Sequence, residues 1–169
     1  KAIESVQANS ETIIYLEENA VFKVAVLNLG DNKQVSIIGK NTTLKAHDKP
    51  GKEGGEGGRI LRAATGCNLT VKGINFENDM SYNQGTEGGG SGTAIGIYDK
   101  SGNDVGGEYT NLGLLKVINC TFVENTSLYA YQAAVDISPS DKTKAYLINN
   151  TFYKNDGALR IGDIYKEAG

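Results

Sequence analysis

Two prolines, two cysteines, one histidine and no long apolar run mark what this 169-residue chain lacks. Two cysteines and one histidine at unrelated spacings cannot supply the four ligands of a structural zinc site. No stretch approaches the roughly 18–20 apolar residues of a membrane-crossing helix. Seventeen basic and twenty acidic side chains leave a net charge of −3. The signs are scattered and form no basic stripe along the sequence, which argues against nucleic acid as a partner. No signal-peptide pattern is visible. What is abundant instead is glycine, with 22 residues, set among segments rich in Ile, Val, Leu, Thr and Asn. That mixture suits a turn-dense all-β chain. The length predicts one continuous domain with room for a real core.

Three segments lie over one another: residues 69–79 (LTVKGINFEND), 115–125 (LKVINCTFVEN) and 145–155 (AYLINNTFYKN). Aligned on Phe76, Phe122 and Phe152, they keep Leu69/Leu115/Ala145 and Val71/Val117/Leu147 apolar at period 2, one face of a strand. The next column in phase is Gly73/Asn119/Asn149, after which the inward set resumes one residue later at Ile74/Cys120/Asn150 and at the three Phe. A parity slip is absorbed where the chain bends, and Gly and Asn most readily take left-handed backbone angles. Each segment therefore reads as strand, corner, strand. A second corner column, Asp79/Asn125/Asn155, follows three residues after each Phe. Residues 94–98, 134–138 and 158–162 superpose as a third strand, with Ile95/Val135/Leu159 and Ile97/Ile137/Ile161 inward and Gly96/Asp136/Arg160 outward. A looser copy covers residues 35–39, 42–46 and 59–64.

No single rung of this kind buries its own apolar side, but stacked rungs bury all of them. The sequence predicts a right-handed parallel β-helix of about four to five rungs, its hand taken from the crossover rule. Residues 1–34 read as an N-terminal cap and first rung: Ala2, Ile3 and Val6 share one face of a short capping helix, followed by strands at 12–16 and 21–29. Residues 35–169 carry the remaining rungs and their Gly-rich insertions. After Ile161 no amphipathic cap is expected. The last rung should then present unpaired backbone groups, a template for homo-oligomer or filament formation.

Chemistry-bearing residues are sparse. Cys120 reads as a small core residue, and its rung position differs from that of Cys67, which argues against a bridge. His47 sits in a polar Gly-rich insertion with no nucleophile in a recognisable setting. Asp136 and Arg160 share the outward column one rung apart, and an acid beside a base there is an ordinary cross-strand pair. Glycoside hydrolysis requires two carboxylates about 5–10 Å apart, and this column offers one. The alternative of a carbohydrate-active enzyme, lyase- or hydrolase-like, therefore rests on Asp136 and Arg160 alone. Acidic loop residues admit Ca²⁺, yet none shows the dense alternating carboxylates of a calcium motif; no cofactor is expected. Insertions at 47–58, 80–92 and 126–132 leave the rung at one point and carry Tyr82, Tyr129 and Tyr131; Tyr109 lies in 99–113. Loops on a rigid scaffold are where binding concentrates, and tyrosine suits sugar or protein contacts.

The F-x-x-N element (Phe122 to Asn125, Phe152 to Asn155, and Phe76 with Asp79 in the Asn place) is paired with a small-small-Ala-aliphatic element (Gly92-Thr93-Ala94-Ile95, Ala133-Ala134-Val135, Gly157-Ala158-Leu159). Together they resemble the repeats of polymorphic outer membrane proteins and the adhesin-like β-helix proteins of bacteria and archaea. The likeness covers residues 35–163, with Thr93 and Ala133 standing where those repeats carry a second Gly. It implies a non-catalytic, extracellular or cell-surface role in adhesion or structure, toward a host or neighbouring-cell protein or glycan.

Overall fold

Successive stretches of this chain pair side by side in parallel. The structure, a computed structural model, describes residues 7, 9–24, 27–29, 32–46, 60–63, 66–79, 94–97, 113–126, 134–137 and 144–161. Among these residues there are thirteen strands and no helix. The expected capping helix over Ala2, Ile3 and Val6 lies outside them.

The strands fall into five passes. The first holds β1 (Glu11–Tyr15), β2 (Val21–Val24) and β3 (Leu27–Leu29). The second holds β4 (Gln34–Ala46) and β5 (Leu61–Ala63), and the third β6 (Asn68–Asp79) and β7 (Ile95–Ile97). The fourth holds β8 (Leu114–Ile118), β9 (Thr121–Thr126) and β10 (Val135–Ile137); the fifth holds β11 (Lys144–Ile148), β12 (Thr151–Tyr153) and β13 (Leu159–Ile161). Strands β4 and β6 each run through two strand positions that are separate in the other passes.

Every pairing between these strands is parallel. One sheet runs β1-β4-β6-β8-β11, with β2, β9 and β12 joined to it around the corner; the other runs β13-β10-β7-β5-β3. Spatial order thus follows chain order, because each strand pairs with its counterpart one pass earlier. Parallel neighbours need a crossover, and here the rest of the pass supplies it.

Inward side chains of both sheets meet in one core. It contains Val35, Ile37 and Leu44 from the second pass, Leu69, Val71, Ile74 and Phe76 from the third, and Leu115, Val117 and Phe122 from the fourth. Leu61, Ile95 and Val135 enter it from the second sheet. Phe22, Leu44, Phe76, Phe122 and Phe152 form one column through the registers. Its last three rings stack, with centroids 5.0 and 4.8 Å apart and planes within 9° and 7°. Cys67 and Cys120 are buried and form no disulfide.

Candidate functional site

The corners decide where polar side chains sit. Between the first two strand positions of each pass one residue turns the chain through a positive φ: Asn19 (59°), Asn41 (53°), Gly73 (67°), Asn119 (52°) and Asn149 (51°). Asn and Gly tolerate this backbone best. At Gly73 the choice is forced, since a Cβ would sit 2.4 Å from the Gly39 carbonyl oxygen. The Asn side chains also link the passes: Asn41 Nδ2 donates to Asn19 Oδ1 at 3.0 Å, and Asn149 Nδ2 to Asn119 Oδ1 at 2.9 Å.

Half-buried carboxamides clamp these bends from the following pass. Asn150 Oδ1 accepts the Cys120 N–H at 2.9 Å while its Nδ2 donates to Val117 O at 2.9 Å, so it brackets the left-handed Asn119. Asn155 repeats the device, accepting from Asn125 N–H at 2.9 Å and donating to Phe122 O at 3.0 Å. The bracketed residue is Glu124, at φ 50°. Asn125 in turn donates to Phe76 O at 3.2 Å and to Asn155 Oδ1 at 2.8 Å. Thr42 acts likewise, its hydroxyl donating to Glu17 O at 2.7 Å across the first corner.

One column differs from the sequence expectation. Glu77 pairs with Val123, but Asp79 pairs with Thr126. Asn78 therefore stands opposite the Glu124–Asn125 step, and it is buried as Asn125 is. The physical reason is an extra residue: Glu124 and Lys154 take positive φ as bulges, and β6 is one residue shorter at that point. Asn78, not Asp79, belongs with Asn125 and Asn155.

One register column of the second sheet runs Asn28, Arg62, Gly96, Asp136, Arg160. Asp136 alternates with the core residues Val135 and Ile137, yet it is only 1% exposed. Its neighbours in the column are Gly96 and Arg160, so no second carboxylate adjoins it there. Among the described residues no three His, Cys, Asp or Glu side chains cluster as metal ligands. Burial pushes the Cys120 thiol above its ordinary pKa, against hydrogen bonds from the backbone at Ile74, Ile118 and Gly73 that pull it down. The thiol is thereby held neutral. The sequence-predicted contact residues Tyr82, Tyr109, Tyr129 and Tyr131, with His47, lie outside the described residues.

The unforeseen cluster is at the two ends. Ile13, Tyr15, Val21, Tyr146, Ile148, Tyr153 and Leu159 are the exposed large hydrophobic side chains among the described residues. All of them belong to the first or the fifth pass. In the column of Ile13 and Tyr146 the inner passes place Ser36, Thr70 and Lys116. That polar-to-apolar change at the ends was readable in the sequence only once the register was known. No family model, no curated protein and no solved structure matches this chain.

Proposed function

We propose that this chain is a right-handed parallel β-helix of five rungs acting outside the cell or at its surface, as a non-catalytic structural or adhesive element. Three strand positions per pass, parallel registers and strand order following chain order support the coil. The crossover rule supplies its hand. The observation that carries the non-catalytic reading is the use made of the polar side chains. Thr42, Asn125, Asn150 and Asn155 each bond the backbone of a neighbouring pass, so they hold the coil rather than face a substrate. The F-x-x-N and Ala-aliphatic elements supply the extracellular part of the reading, through the repeats they resemble. No cofactor enters it. The insertions at 80–92 and 126–132, within the passes, and 99–113, between two of them, would present the contact residues Tyr82, Tyr129, Tyr131 and Tyr109 for a protein or glycan partner.

Protease treatment of intact source cells, followed by detection with an antibody to this chain, tests the location: loss of signal without lysis is expected. Turnover on a panel of acidic polysaccharides tests the rest. An activity that disappears in Asp136→Ala would replace this reading by a carbohydrate-active enzyme.

A further inference from the structure

We infer that the fifth pass of one copy docks in register on the first pass of another, so that the partner of this chain's ends is the chain itself. The inference rests on the coil proposed above and adds its partner, polarity and contact residues.

Among the described strands, β1, β2 and β3 pair only with the second pass, and β11, β12 and β13 only with the fourth. Among the described residues each end thus offers one unpaired edge per strand column, a template for strand addition. The two edges are related by the coil's own repeat. Adding one more step of the register that joins the fourth pass to the fifth places Leu147 against Ile14, Phe152 against Phe22, and Leu159 against Leu27 of the next copy. These core-column residues are half-buried or exposed at the ends, whereas their counterparts on the third and fourth passes are buried.

Outside the core the match continues. Tyr146 would face Ile13 and Ile148 would face Tyr15, covering four of the exposed apolar side chains. Asn149 would meet Asn19 and extend the corner ladder that Asn119 and Asn149 already form at 2.9 Å.

Charge selects the polarity. From residue 9 to 29 the first pass carries Glu11, Glu17 and Glu18 against Lys23, a net of −2. From residue 144 to 161 the fifth carries Lys144, Lys154 and Arg160 against Asp156, a net of +2. Lys154 already pairs with Glu124 and Glu18 with Lys40 inside one copy, which leaves Lys144 and Glu11 as the pair that docking would form. Lys144 and Glu11 occupy the same column, so fifth-on-first docking sets them side by side. First-on-first or fifth-on-fifth docking would oppose like charges and would require antiparallel strands. Charge of this kind fixes partner choice and register more than affinity.

Disulfide trapping tests the register. Parallel neighbours lie about 4.8 Å apart, within disulfide reach. Tyr146→Cys with Ile13→Cys should yield dimers, trimers and longer chains on a non-reducing gel at micromolar protein. Tyr146→Cys with Lys116→Cys is the intramolecular control, because these residues already pair within one copy. If only the control closes, the docking inference falls and the coil stands. If neither closes, the register itself is wrong and both fall. Association measured by sedimentation should weaken roughly tenfold in Lys144→Glu and in Glu11→Lys, and recover in the double reversal. Equal association in all three variants would overturn the assigned contact.

Discussion

Phe122→Ala is the substitution whose cost can be worked most directly. Phe122 is fully buried and sandwiched, its ring 5.0 Å from that of Phe76 and 4.8 Å from that of Phe152. Truncating a buried Phe costs about 3–5 kcal/mol. Each stacked pair is worth about 0.5–1.5 kcal/mol beyond area, which places this site at the upper end, about 4–5 kcal/mol. Phe152 is half-buried and stacks on one side only, so Phe152→Ala should cost about half as much. Phe122→Leu should cost about 1–2 kcal/mol, since the same column already accepts Leu44 on the second pass.

Urea unfolding followed by circular dichroism and by tyrosine fluorescence provides the assay; the chain has nine Tyr and no Trp. With a slope of about 2 kcal/mol per molar urea, Phe122→Ala lowers the midpoint by about 2 M. Agreement between the two probes is required before a single free energy is assigned. Equal costs for Phe122→Ala and Phe152→Ala would refute the reasoning, because they would mean that the fifth pass is as deeply covered as the fourth.

Other substitutions probe the corners and the core thiol. Gly73→Ala should cost about 3 kcal/mol or more, through its left-handed backbone and the collision with the Gly39 carbonyl; a midpoint within error of the parent would contradict the corner geometry. Asn119→Val should lose about 1–2 kcal/mol from the strained φ, while Asn119→Gly, which forfeits only the exposed bond to Asn149, should stay within about 0.5 kcal/mol. The raised pKa of Cys120 has a definite sign in pH dependence. Folding holds the thiol protonated where the unfolded chain would release its proton, so stability is intact below about pH 8.5 and declines above it. Denaturation midpoints of the parent and of Cys120→Ala from pH 7 to 10 should therefore converge at the alkaline end; parallel curves would remove the effect.

The parts of this fold that could be read from sequence are those where one column holds one chemistry. The Phe column was legible because Phe76, Phe122 and Phe152 recur with apolar partners at fixed offsets. The Gly73/Asn119/Asn149 corner was legible because a parity slip needs a residue of that type. The same corner on earlier passes was hidden, since Asn19 and Asn41 end corners of several residues, not one, and fixed-offset comparison passes over them. Asn78 was missed for the opposite reason: bulges at Glu124 and Lys154 stretch F-x-x-N by one residue relative to Phe76-Glu77-Asn78. Asn150 sat in an apolar column as an exception, and its clamp on Val117 and Cys120 depends on the neighbouring pass, which no local pattern reveals. The near-complete burial of Asp136 was equally out of reach, because alternation places it outward and cannot say what covers it.

The ends connect these energetics to behaviour in solution. In a stack held by neighbour contacts, an inner pass is stabilised from both sides and a terminal pass from one. The half-buried Leu147 and Phe152 and the exposed Leu159 make the fifth pass the thinner part of the core, and Ile14 and Phe22 do the same for the first. Opening free energies should accordingly fall from the third pass outward, with amide exchange fastest in β1 and β11 and slowest in β6. Docking of one copy on another would reverse that order at the joined ends. It would also make the melting temperature rise with protein concentration, since anything bound only by the folded ends stabilises them by mass action. Exchange protection in β11 that grows with concentration, alongside unchanged protection in β6, would locate the added stability at the junction; a uniform increase across all passes would place it elsewhere.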